Sequence, residues 1–188
     1  MAVDVAKIRE LFDFNFAHTG EMTIDPQTGL VSCTGNVNAK KQMKRFPVSF
    51  DQVKGSFSCS RNQLTSLKGA PGSVGGGFFC HNNQLTSLEG APGLIGGDFY
   101  CHNNQLTSLV GAPGSISGKW FMTVHPDVPL LNLLHVKKID GFILDSGGAR
   151  LHDLEEILMR YRGTGYNGMA PCAARMAKLG YGSNARMG

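Results

Sequence analysis

The chain has no apolar stretch approaching the ~18 residues that a membrane span needs, and no run of five lysines or arginines. It has no Cys-x-x-Cys pair, so its five cysteines give no local spacing for zinc or redox chemistry. No Gly-x-Ser-x-Gly joins a strand pattern to a helix pattern, which removes the nucleophile-elbow hydrolases. Glycine clusters such as Gly75-Gly76-Gly77 precede strand patterns and lack the lysine and threonine of a phosphate-binding loop, so they read as turns. Charge is scarce, at 17%, but apolar content is 41%, which excludes a disordered chain. Asp4 and Glu10 break up the N-terminal apolar residues, so a signal peptide is not expected and a cytosolic protein is. No enzyme activity, cofactor, metal or small-molecule substrate is expected.

The formal net charge is +4, a weak pointer to nucleic acid. The densest basic patch is Lys40, Lys41, Lys44 and Arg45. It reads either as a solvated loop or as a contact for phosphate or an acidic partner.

Glycine is plentiful, at 25 residues in 188, and recurs at fixed intervals. The text F-x-C-x-x-N-Q-L-T-S-L-x-G-A-P-G starts at Phe57, returns at Phe78 and fades after Phe99. Phe57, Phe78, Phe99 and Trp120 stand 21 residues apart, as do Cys59, Cys80, Cys101 and Met122. Asn62, Asn83 and Asn104 keep the step, as do Leu64, Leu85 and Leu106, and Leu67, Leu88, Leu109 and Leu130. A period of this length, with L-x-x-L-x-L-x-x-N-like lettering, resembles the leucine-rich repeat. The expected fold class is an α+β repeat. It is a right-handed solenoid with a parallel sheet on its concave face, a helix-and-hairpin cap at the N-terminus and a helical cap at the C-terminus. Each unit is too small to close its own core, so stacking must do so. The Gly90–Gly97 stretch is too rich in Gly and Pro for a helix. The convex side should therefore be extended or polyproline-like, with Val74, Ile95 and Ile116 sealing it. The repeat is also similar to the short repeats of bacterial effectors.

Three segments are expected: 1–30 as the N-terminal cap, 31–145 as the solenoid and 146–188 as the C-terminal cap. Val3–Phe14 has helical apolar spacing. Met22–Val31 reads as a hairpin closed by Asp25-Pro26-Gln27-Thr28-Gly29. Val31-Ser32-Cys33 is expected to be a degenerate first strand in the Phe57-Ser58-Cys59 register, with about five extra residues near Asn38–Lys44. Ile139–Leu144 is expected to add a last strand. Arg150–Arg162 and Tyr166–Leu179 read as helices, with Pro171 in or near the first turn of the second. Glu155 and Glu156 are expected on the helix surface.

The whole chain is similar to the small leucine-rich-repeat proteins of tailed bacteriophages. The similarity rests on the repeats and on Gly163-Thr164-Gly165-Tyr166, Cys172-Ala173, Leu179-Gly180-Tyr181 and Asn184-Ala185-Arg186. It implies a phage-encoded protein of the host cytoplasm or of the virion, which inhibits or modulates a host protein or defence complex. It names no target.

Side-chain alternation sets the candidate site. If Phe78 and Cys80 face inward, their neighbours face solvent. Ser58, Phe79, Tyr100 and Phe121 then form one outward row. Ser60, His81, His102 and Thr123 form a second. Gly77, Asp98 and Lys119 form a third, with Asn82 and Asn103 at the edge. Three aromatics in a solvent-facing row suit a protein interface, or simply stiffen the sheet by cross-strand stacking. His81 and His102 with Asp98 also suggest a metal, but lack a third well-placed ligand. If exposed, the pair titrates near neutral pH. Asn62, Asn83 and Asn104 read as a structural column that satisfies backbone groups. The cysteine column reads as buried core. Two readings compete with protein binding: a virion or assembly component, and a nucleic-acid binder using the C-terminal helix pair with Arg175, Lys178 and Arg186 on phosphates.

Overall fold

The computed structural model describes residues 2–40, 42–146, 149–164 and 166–186. Lys41 of the basic patch and Gly165 of the C-terminal motif lie outside the described residues. The chain is a β-solenoid of about five turns, with a few helices.

Helix α1 spans Val5–Asn15. Asp4 caps it, its carboxylate accepting the Lys7 N–H at 2.9 Å. Strands β1 (Phe16–His18) and β2 (Met22–Ile24) follow. The chain then alternates between two sheets. Strands β3 (Val31–Cys33), β5 (Phe50–Val53), β7 (Ser73–Val74), β9 (Leu94–Ile95) and β11 (Ser115–Ile116) belong to one sheet. Strands β4 (Val37–Ala39), β6 (Phe57–Ser58), β8 (Phe78–Phe79), β10 (Phe99–Tyr100), β12 (Lys119–Thr123) and β13 (Gly141–Asp145) belong to the other. The first sheet is ordered β11-β9-β7-β5-β3-β2 and the second β1-β4-β6-β8-β10-β12-β13. Pairing is parallel except where β1 meets β4 and β2 meets β3. The β2–β3 hairpin turns as its letters require. Asp25 accepts the N–H groups of Gln27 and Thr28, and Gly29 adopts φ +74.

The 21-residue letters become vertical columns. Phe57, Phe78, Phe99 and Trp120 are fully buried and pack ring against ring, the first pair stacked and the next two tilted, with centroids 5.7, 5.9 and 5.0 Å apart. Phe142 extends the column. Cys59, Cys80, Cys101 and Met122 form the next column inward, and Leu64, Leu85 and Leu106 another. Each buried aromatic or leucine contributes about 1.5–3 kcal/mol, which is how coils without internal cores hold together.

The structure corrects two readings. Val31-Ser32-Cys33 is not in register with Phe57. It lies in the other sheet, where Cys33 pairs with Val53. The true first rung is Val37-Asn38-Ala39, with Val37 opposite Phe57 and Asn38 opposite Ser58. That coil is therefore one residue shorter than the repeat, not longer, and Ala39 takes the cysteine position. Second, on helix α2 (His152–Tyr161) Glu156 is exposed, but Glu155 is buried. The glycine-rich side is extended, and its two-residue strands hydrogen-bond into the six-stranded sheet. Pro171 lies near the start of helix α3 (Tyr166–Lys178), just past its first turn, where it offers no N–H to the carbonyl of Asn167.

Glu155 has a definite task. Its carboxylate accepts the Leu144 N–H of β13 at 2.7 Å and a forked contact from Arg150 at 2.9 Å. This ties α2 to the last strand. Between β12 and β13 a 3₁₀ segment, Leu130–His135, buries Leu130, Leu131, Leu133 and Leu134. Helix α3 packs on this segment and on α2, burying Cys172 and Met176. Asn184, 4% exposed, donates to the carbonyls of His125, Pro126 and Val128. The Asn184-Ala185-Arg186 motif is thus a clamp on the 125–128 loop, and Arg186 donates to the carbonyl of Asp127.

Candidate binding face

Alternation places the outward rows on the seven-stranded sheet as expected. Cys101 is 1% exposed and its neighbour Tyr100 is half-exposed. Phe79, Tyr100 and Phe121 stand on adjacent strands in register. Their rings meet edge to face, with centroids 5.3 Å apart for Phe79–Tyr100 and 5.7 Å for Tyr100–Phe121. Each ring covers part of the next, so all three are half-buried. Phe79 also leans over Gly77, where a Cβ would come within 2.5 Å of its ring. A side chain at position 77 would displace the aromatic.

The second row closes against the first. His81 and His102 stack nearly parallel, with centroids 4.6 Å apart and planes at 6°. His102 lies on Phe121 at 4.1 Å. Five rings therefore form one continuous plaque over β8, β10 and β12. Burial holds the His81 imidazole below its usual range, helped by His102 and Arg61. Burial lowers His102 as well, with Asp145 pulling the other way. Burial raises the Tyr100 phenol, aided by the charge of Asp98 and a hydrogen bond to it. Asp98 also accepts the Lys119 N–H at 2.9 Å.

The remaining candidates divide. Ser58 ends the aromatic row, its hydroxyl 3.1 Å from that of Ser60. Lys119 is exposed at the rim. Asn82 and Asn103 are corner residues first. Both adopt left-handed backbone, φ 55 and 53, a conformation asparagine tolerates better than most residues. The Asn103 amide donates to the Asn82 side-chain oxygen at 2.9 Å. Arg61 takes the same conformation one coil earlier and brings its charge beside His81. Three neighbours of the plaque, Arg61, Ile143 and Asp145, were not among the candidates. Ile143 pairs with Phe121 and Asp145 with Thr123, a step of 22 instead of 21. Extending the rows across that changed step would have found both.

The asparagine column, with Asn83 buried and Asn104 partly so, acts as the sequence suggested. Asn83 accepts the Leu64 N–H and donates to the carbonyls of Cys59 and Cys80. Asn104 repeats this one coil on, with Leu85, Cys80 and Cys101. The cysteines are free and buried. Burial raises their thiols, to about 12 at Cys101 and about 11 at Cys33 and Cys172, which leaves them poor nucleophiles. Among the described residues no three His, Cys, Asp or Glu side chains are placed to share a metal ion. In the basic patch, Lys40 donates to the carbonyls of Asp13 and Phe14 at the end of α1, while Lys44 and Arg45 are exposed. No helix among the described residues is long and apolar enough to cross a membrane.

No family model, curated protein or solved structure matches the chain.

Proposed function

We propose that this is a non-catalytic binding protein of leucine-rich-repeat type, which docks another protein on the seven-stranded sheet. In this reading that sheet is the concave face, α1 with the β2–β3 hairpin caps one end, and α2 with α3 caps the other. The observation that carries the reading is the half-exposed row Phe79, Tyr100 and Phe121, backed by His81 and His102. Aromatics held rigid by their neighbours lose little entropy on binding and anchor protein interfaces. The resemblance to phage repeat proteins makes the partner a host protein that this chain inhibits or modulates in the host cytoplasm.

The test is tagged purification from infected cells, repeated with Phe79→Ala and Tyr100→Ala. A host protein held by the wild type and lost from both variants, with Tm lowered by only a few degrees, is the expected result. Co-purification of capsid or tail subunits would instead make the chain a virion component. Nucleic acid released at high salt would point to electrostatic phosphate contacts. A host protein retained equally by both variants would remove the plaque from the interface.

A further inference from the structure

The stacked histidines have an asymmetry that their sequence positions do not reveal. In both rings Nδ1 is buried and has no hydrogen-bond partner. A buried N–H without an acceptor is rarer and costlier than a buried lone pair. The geometry therefore assigns the proton to Nε2, at the edge of each half-exposed ring that meets water. Metal ligation through Nε2 would push that proton onto the buried Nδ1, where nothing accepts it. The pair is built to donate.

The two donors act side by side, because the rings are parallel and 4.6 Å apart. Hydroxyls of Ser60 and Thr123 flank them in the same row. Thr123 Oγ1 already accepts the Asn103 N–H, so its own proton is directed elsewhere. The charged groups around the row balance: Arg61 beside His81 and Lys119 on β12, against Asp98 just before β10 and Asp145 on β13. The Ser60 hydroxyl is held by Ser58, and the three remaining donors with little net charge suit a planar monoanion better than a dianion.

We propose that His81 and His102 form a twin donor that captures a carboxylate of the docked partner protein. This deepens the docking reading and rests on it. The carboxylate bridges the two Nε2–H groups, while the plaque beside them takes the apolar part of the same partner segment. The second proton of a cationic ring would sit on the buried Nδ1, so both rings hold the carboxylate as neutral donors.

Sodium acetate and, separately, inorganic phosphate are titrated into the whole protein at constant ionic strength, and the histidine Cε1–H signals are followed by NMR. Acetate should move His81 and His102 along one saturating curve. His18, His125, His135 and His152 serve as internal controls and should not follow it. The variant His102→Phe keeps a ring between His81 and Phe121 but removes one donor. It should weaken acetate binding about tenfold, the equivalent of one charge-assisted hydrogen bond. No saturation at the pair, tighter binding of phosphate than acetate, or unchanged affinity in His102→Phe would each overturn the proposal. The two readings fail separately. A host protein lost with Tyr100→Ala but held fully by His102→Phe leaves the docking face standing and removes the pair's role. Acetate binding without any captured protein does the reverse.

Discussion

Asn83 reaches back one coil to hold Leu64, its side-chain oxygen accepting the leucine N–H at 2.9 Å while its amide nitrogen donates to the carbonyls of Cys59 and Cys80. The two carbonyls each keep a second donor, Asn62 for Cys59 and Asn104 for Cys80, so removing the Asn83 side chain strands one buried group, the Leu64 N–H. A buried group left unpaired costs about 1–3 kcal/mol. Asn83→Ala should therefore lower stability by about 1–3 kcal/mol in urea unfolding. Asn82→Gly, one residue away, should change it by well under 1 kcal/mol, because glycine accepts the left-handed backbone at that corner. Asn82→Val should cost about 1–2 kcal/mol for the same reason reversed. Equal effects at positions 82 and 83 would contradict the division between corner and column.

A second pair of substitutions reads the turn on the other side of the repeat. Gly90 has φ +89, and a Cβ there would lie 2.7 Å from the Leu67 carbonyl carbon. Gly114 has ordinary φ, and its Cβ would meet only the Gly93 carbonyl oxygen at 3.7 Å. Gly90→Ala combines left-handed strain with a backbone clash and should cost roughly 2–4 kcal/mol. Gly114→Ala should be neutral or stabilise by up to about 1 kcal/mol through the unfolded chain. Thermal unfolding of the two variants side by side checks this.

Stability should also follow the histidine pair. Folding lowers both imidazoles, so the unfolded chain takes up protons first as pH falls. Their contribution is fully present above the unfolded value near 6.5. It is lost as pH drops from there to the depressed folded values, below which it levels off. Urea midpoints measured between pH 8 and pH 5 in buffer free of carboxylates should fall more for the wild type than for the double variant His81→Phe, His102→Phe. A parallel pH dependence in both proteins would remove the pair as the source.

How much of this was legible depended on whether a residue type repeated with its position. Phe78, Cys80, Asn83 and Leu85 did both, so the columns and the outward rows could be read directly. Cys33 misled because it repeats the type without the position. The true rung, Val37 to Ala39, shares only apolar character with Phe57 to Cys59 and comes at a step of 20. The six-stranded sheet was hidden because strands of two residues, such as Ser73–Val74, are too short to show alternation. The inward and outward assignment of Tyr100 and Cys101 followed from alternation alone. The burial of Nδ1 in His81 and His102 depends on how rings pack across strands, which no spacing encodes.

Glu155 had a signal that went unused. Leu151, Leu154 and Leu158 define the inner side of α2, and residue 155 falls four after 151 and three before 158, on that same side. A carboxylate there must be paired, and Arg150 with the Leu144 N–H pairs it. Glu155→Ala leaves that N–H buried without an acceptor and Arg150 without its anion, which should cost about 2–4 kcal/mol. Glu155→Gln keeps one acceptor and should cost less. Because the contact joins α2 to β13, the loss should be local. Amide exchange should accelerate across 152–178 and at Leu144, with the amides of Phe78 to Cys101 protected as before. Uniform acceleration along the chain would mean that the helices and the solenoid unfold as one unit, and that this ion pair supports the whole molecule.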